Sequence, residues 1–319
     1  MTHYLAWIIA LFCACAADRQ PGELFGPLED DLVVVDVQLI VDAPLPPVHL
    51  SRTLAPGTTY TAAAAALSGA VVAIHQADQI IDYTEDPEDP GRYLPTASVA
   101  TLPATLYRLE VLLTDGRQVK AQTHTPDRLQ ITQLLLLDEE TLLPRRELKL
   151  FAELGEAVYY APENQIFYQQ GLLEARVAEE IDIPAYQLAI FNLEEDSALL
   201  IDADFLEEDD LAEFEREGAS PPLAVRKGQA RLPWFAVAFA GRHKFKIYAV
   251  DENWYDFIRT DPDGNGGGFG GLLGDQFQRP TFNIEGGIGL FASASVDSVG
   301  FTVLPRSIPT LKQQATGSH

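Results

Sequence analysis

The segment Leu106-Tyr107-Arg108-Leu109-Glu110-Val111-Leu112-Leu113 does most to limit what this chain can fold into. Apolar and polar residues alternate from Tyr107 to Val111, the period of a strand with one face buried. Asp115-Gly116 follows, a pair suited to the tight turn of a hairpin, and Val119, Ala121 and Thr123 return the alternation. A helix places every third or fourth residue on one face, so this pattern fits a hairpin and not a helix.

The same grammar recurs on both sides. Leu32–Val41 is rich in β-branched residues and closes at Asp42-Ala43-Pro44; His49–Thr53 and Gly69–Ile74 read as further strands. Thr84–Gly91 is acidic and holds Pro87 and Pro90, so it reads as a loop. Short strands with turn signals between them predict a β-sandwich over residues 32–127, ending near Thr125-Pro126.

A second, β-rich domain with one or two short helices is expected over residues 128–305. Phe151–Tyr160, Glu174–Ile183, Trp234–Ala240 and Lys244–Val250 read as strands, and Ile288–Ala292 and Gly300–Leu304 as two closing strands. The acidic stretch Asp202–Gly218, with Leu206, Leu211 and Phe214 near helical spacing, reads as a short solvated helix. Asp251-Glu252-Asn253 is placed to cap a second helix carrying Trp254, Tyr255 and Phe257. Residues 306–319 read as a disordered tail.

The first residues carry a different signal. Leu5–Leu11 is apolar but shorter than the ~20 residues that cross a bilayer. It has the length of a signal-peptide core and runs into Phe12-Cys13-Ala14-Cys15. Small residues before a cysteine at that point resemble a lipobox, and Ala14 before Cys15 makes Cys15 a better candidate acceptor than Cys13, which follows bulky Phe12. The n-region lacks lysine and arginine, and a plain secretory signal cleaved near Ala16-Ala17 is the alternative. The expected organisation is a lipoprotein signal peptide at 1–14, lipid attachment at Cys15 and a tether over 15–31. Cys13 and Cys15 are the only cysteines, so such processing leaves the folded part without a thiol or disulfide. More than one acyl chain gives stable attachment, at ~0.8 kcal/mol per buried methylene.

Composition narrows the partners. The formal net charge of -25, from 47 acidic and 22 basic residues, opposes binding to nucleic acid, whose phosphates need a basic surface. It equally opposes lying on anionic headgroups. Salt adaptation and a functional acidic surface are both consistent with it.

Several of these segments together resemble a known family. Asn283-Ile284-Glu285-Gly286-Gly287-Ile288-Gly289-Leu290-Phe291-Ala292, followed by Asp297-Ser298-Val299, is similar to the closing motif of domain-of-unknown-function family 4249. Leu32-Val33-Val34, Leu50-Ser51-Arg52-Thr53 and Gly69-Ala70-Val71-Val72 are similar to its opening, and the 107–126 hairpin fits too. The resemblance spans roughly residues 32 to 305 and is strongest at the two ends. It implies a mainly β protein: an immunoglobulin-like or transthyretin-like N-terminal sandwich before the β-rich domain. It also implies an outer-membrane lipoprotein of Bacteroidota-type bacteria, beside a TonB-dependent transporter. It supplies no catalytic residues. Acidic residues directly after the lipid cysteine mark surface export in such bacteria, whereas here Ala16-Ala17 precede Asp18.

Sites suggested by the residues themselves are few. Asp261, Asp263 and Asn265 match the first half of a calcium loop, but Leu272 stands where a bidentate glutamate would be needed, and a flexible acidic turn is the reading these residues favour. Trp254 and Tyr255 could form an aromatic platform or belong to a core. No G-x-S-x-G, H-E-x-x-H or P-loop is present, so catalysis is not expected and no cofactor beyond calcium is implied. The leading expectation is a lipid-anchored accessory or binding protein of the outer membrane. A secreted polysaccharide hydrolase using paired carboxylates and a structural or adhesion protein of the envelope are the alternatives.

Overall fold

A computed structural model describes residues 31–55, 57–178, 182–200, 217–220, 223, 225, 228–232, 237–260 and 280–305. The chain is mainly β, with a large curled sheet and a second sheet of four strands.

The first half supplies β1 (Val33–Ile40), β2 (Val48–Arg52), β3 (Val71–Gln76), β4 (Gln79–Glu85), β5 (Arg92–Pro95), β6 (Leu106–Leu112) and β7 (Gln118–His124), hydrogen-bonded in the order β1-β2-β5-β4-β3-β6-β7. The short helix α1 (Ala62–Ala65) follows β2, capped by the Thr61 hydroxyl on Ala64 N at 3.1 Å. Inward positions alternate along the strands as the sequence pattern requires; Val35, Leu50, Ile74, Leu109 and Val119 are each at most 1% exposed and share one core. The 106–124 hairpin forms in the expected register, with Gly116 at φ 89° in its turn.

The second half adds β8 (Ile131–Leu137), β9 (Pro144–Leu148), helix α2 (Glu156–Tyr160), β10 (Gln165–Phe167), β11 (Leu172–Val177), β12 (Ala185–Asn192), β13 (Glu217–Ala219), β14 (Gln229–Leu232), β15 (Gly241–Val250), helix α3 (Glu252–Thr260), β16 (Ile284–Glu285) and β17 (Ile288–Leu304). Strands β14-β11-β8-β9 form the small sheet, while β13-β12-β15 extend the large one through β17. Leu134, Leu136 and Leu173 of the small sheet share a second core with Phe245, Ile247 and Phe301 of the large one.

Of the strand expected at Trp234–Ala240, the described Val237–Ala240 make only an isolated bridge, Leu199↔Phe239, and three further local expectations are corrected. Phe151–Tyr160 is not a strand: Glu156–Tyr160 is helical, and Val158 and Tyr159 are buried against Gly300. A Cβ at Gly300 would lie 2.8 Å from the Tyr159 ring, so the glycine permits that packing. Glu217 and Gly218, read as the end of an acidic helix, lie in β13, because Ile190 and Phe191 of β12 supply a ladder partner; residues 202–216 lie outside the described residues.

The third correction explains a misleading polar stretch. The two expected closing strands are one 17-residue strand, β17. Ser293 to Ser298 resembles a break because it is polar, but its side chains fasten the crossover between the two halves. Ser295 Oγ accepts from Leu129 N and Asp297 Oδ2 from Ile131 N, both at 2.7 Å. Polar groups so paired are compatible with a buried strand.

The glycine-rich closing motif has a mechanical role. β16 pairs with β7, Ile284 opposite Ala121; the chain then crosses at Gly286-Gly287 and β17 runs parallel to β1, from Val34↔Ile288 to Ile40↔Ala294. This joins the two ends of the curled first-half sheet. A Cβ at Gly287 would sit 2.6 Å from the Val33 carbonyl oxygen, and one at Gly289 (φ 111°) would overlap the Val35 carbonyl oxygen. Close backbone approach therefore demands these glycines.

Candidate functional site

The closure is incomplete in one place. β16 covers only Lys120 and Ala121 of β7, and β15 pairs with β17 only from Ala294 onward. Between Gln122–His124 of β7 and Phe291–Ser293 of β17, side chains replace the ladder. Asn283 Nδ2 donates to the carbonyl oxygens of Gln122 (3.2 Å) and Phe291 (2.7 Å), and its Oδ1 accepts from Phe291 N at 3.0 Å. Asn253 Nδ2 reaches the same two carbonyl oxygens, at 2.9 and 3.3 Å.

Beneath these amides lies a buried polar cluster. The Thr123 hydroxyl donates to Asp251 Oδ2 and lies 2.9 Å from Ser293 Oγ. Asp251 Oδ1 accepts from Trp254 N at 2.9 Å, the cap expected at the start of α3, and Asp251 N donates to Ser293 O at 3.0 Å. Asp251 is 7% exposed and Thr123 2%. Burial pushes the Asp251 carboxyl above its ordinary value; the hydrogen bonds from Thr123 and Trp254 N oppose that rise. The cluster joins β7, β17 and α3, which come from distant parts of the chain.

Two clefts open over this seam. One, of about 480 Å³, lies between the two halves; Gln122, His124, Asp182, Asp251, Glu252 and Asn253 face it. The other, of about 360 Å³, adjoins it along β7, sharing Gln122 and Asn253 and adding Arg108, Lys120 and Asn283. A recess between two packed units, lined by converging polar groups, is a common setting for ligand binding.

The residues singled out from sequence are placed differently. Trp254 is 9% exposed and packs with Leu290, Ala292 and Ala294 in a third apolar cluster. Tyr255 is half-buried at the margin of that cluster, with the Arg259 guanidinium 5.6 Å from its ring centre. Neither lines either cleft. Cys15, Asp261, Asp263 and Asn265 lie outside the described residues, as do Trp234 and the whole glycine-rich stretch 264–274. Among the described residues no group of three or more histidine, cysteine or carboxylate side chains is placed to hold a metal ion. No described helix is long and apolar enough to cross a membrane.

Sequence reasoning missed Thr123, Ser293 and Gln122. Thr123 and Ser293 are separated by 170 positions, and each reads locally as an ordinary strand residue. Asp251 was legible as a helix cap, but its burial and its contact with Thr123 follow from long-range pairing.

A buried histidine elsewhere has a structural role. His243 is 1% exposed, stacks on Phe301 at 5.6 Å, and has its Nδ1 3.0 Å from Gly241 O and its Nε2 3.3 Å from Asn192 Nδ2. A neutral ring with Nδ1–H satisfies both contacts. Burial lowers its pKa to about 4.

The family described as Domain of unknown function (DUF4249) matches residues 23–299, most of the chain. No curated protein matches.

Proposed function

This chain belongs to domain-of-unknown-function family 4249, and from that premise we propose that it is a lipid-anchored outer-membrane binding protein, attached through Cys15, that acts as an accessory to a TonB-dependent transporter. The disposition of the two ends of the β6–β7 hairpin carries this reading. Asp31, the first described residue, is fastened at the turn end: its carbonyl oxygen accepts from Arg117 at 2.7 Å and its carboxylate pairs with Arg52 and Arg117, each at 3.2 Å. The larger cleft opens at the other end of the hairpin, beside Leu106 and His124. Seven residues of strand separate those ends by about 20 Å.

An acyl anchor at Cys15, joined to Asp31 by a segment that spans at most ~55 Å when extended, would enter the folded body at the end of the hairpin opposite the cleft. A site so presented can receive a ligand from solution or from a neighbouring barrel. Binding is favoured over catalysis because both carboxylate oxygens of Asp251 are engaged in holding β7 and α3.

The test is mass spectrometry of the native N-terminus together with purification from detergent-solubilised membranes. The expected result is an acylated N-terminal Cys15 and a co-purifying barrel, with the Cys15→Ala chain released from the membrane fraction. An unmodified N-terminus beyond position 15, with the protein free in the medium, refutes the reading.

A further inference from the structure

We propose that the two adjoining clefts act as one groove for a short, extended peptide with free termini, its ammonium end at Asp182 and Glu252 and its carboxylate end at Arg108. This rests on the reading that the inter-unit cleft is a binding site, but not on the lipid anchor. The clefts share the Gln122 and Asn253 walls, so they are continuous along the outer face of β7. Arg108 on β6 is level with Gln122 on β7, so the line from it past the shared wall to Glu252 runs across the strands rather than along β7.

The charges are divided between the two clefts. Asp182 and Glu252 face the larger cleft, and among the described residues neither has a cation within ion-pair distance. At the other end Lys120 is flanked in register by Glu110 and Glu285, and Glu110 lies 3.4 Å from His75 Nε2. Arg108 instead stands between Gln122 and His75 in register, with no acidic partner within ion-pair distance among the described residues. A guanidinium in that position can take a carboxylate by two parallel hydrogen bonds.

Between the charged ends lie carboxamides. Asn253 spends its Nδ2 donors on the Gln122 and Phe291 carbonyls, which leaves its Oδ1 to accept from a peptide N–H. The Gln122 side chain is exposed and can both donate and accept. An arrangement of opposite charges separated by amides matches a zwitterionic peptide better than an anion or a uniformly basic ligand.

Isothermal titration of the full chain in detergent with tetraalanine, N-acetyl-tetraalanine and tetraalanine amide tests the assignment. Saturable binding of free tetraalanine is expected, with each blocked form weaker by about tenfold, the loss of one charge-assisted contact. The Asp182→Asn/Glu252→Gln variant should bind free and acetylated peptide alike, and Arg108→Gln should bind free and amidated peptide alike. These side chains are exposed, so the variants should keep the parent melting temperature, which is checked alongside. No saturable heat at millimolar tetraalanine overturns the proposal, as do equal affinities for all three peptides or unchanged discrimination in both variants. The Cys15→Ala chain should bind as the parent does, so loss of the anchor and loss of peptide binding are read separately.

Discussion

Replacing Gly289 by alanine should nearly unfold this protein, whereas the same change at Gly116 should be mild. Both glycines have positive φ, 111° and 89°, so both substitutions incur backbone strain of about 1–3 kcal/mol. At Gly116 a Cβ meets nothing within 4 Å, and strain is the whole cost. At Gly289 the Cβ would overlap the Val35 carbonyl oxygen and lie 2.9 Å from the Val35 nitrogen. Relief requires β1 and β17 to part around Val35↔Gly289, within a ladder that runs from Val34↔Ile288 to Ile40↔Ala294. Losing two or three of those hydrogen bonds next to fully buried Val35 adds about 1–3 kcal/mol for each group left unpaired. The total is on the order of 5 kcal/mol, close to the whole stability of many domains. Urea denaturation followed by tryptophan fluorescence measures it, taking the midpoint and slope for parent, Gly116→Ala and Gly289→Ala. Equal midpoints for the two variants would show that the glycine motif does not close the sheet by backbone approach.

Other consequences follow from buried polar groups. Burial raises the Asp251 carboxyl above its ordinary 3.8, so the folded state loses stability as pH rises through that raised value. Asp251→Asn keeps an acceptor for Trp254 N and can donate to Thr123; it should stabilise the protein at neutral pH, because it removes the penalty of burying a charged carboxylate. That advantage should vanish as pH falls towards 3.8, and a variant less stable at pH 7 would contradict the account. His243 has the opposite sign: with its pKa lowered to about 4 from 6.5, stability on the order of 3 kcal/mol should be lost as pH falls through that window. In melting curves at successive pH values, His243→Gln should lose less than the parent between 6.5 and 4; parallel losses would argue against a neutral buried ring. Asn164 is fully buried and bonds Lys149 N, Lys149 O and Gly300 O at 2.9, 3.0 and 2.9 Å. Asn164→Ala should therefore cost ~2–4 kcal/mol in urea unfolding, and a loss below 0.5 kcal/mol would refute its bridging role.

Much of the fold was legible where local chemistry and tertiary packing agree. The 106–124 hairpin has alternation, a turn dipeptide and a core-facing set that all coincide, and it forms as read. Lys244–Val250 alternates cleanly and lies within β15, and Asp251 caps α3 as its position suggests. Where local and long-range demands differ, the reading failed. Ser293–Ser298 is polar by sequence yet central to β17, because its hydroxyls and carboxylate find backbone partners at Leu129 and Ile131. Val158 and Tyr159 suit a strand by propensity, yet the α2 turn packs them against Gly300.

The sequence by itself determined that this is a chain of short paired strands, with a helix opened by Asp251 in its second half and glycines that must matter near its end. Periodicity and turn chemistry are local, so they survive in one dimension. Tertiary structure decided that β17 serves both cores, that the glycines let it meet β1, and that Thr123, Asp251 and Ser293 meet beneath a polar groove. Those are contacts between segments more than 100 positions apart. Which distant strands become neighbours depends on how the whole sheet curls and closes, and no local pattern encodes that.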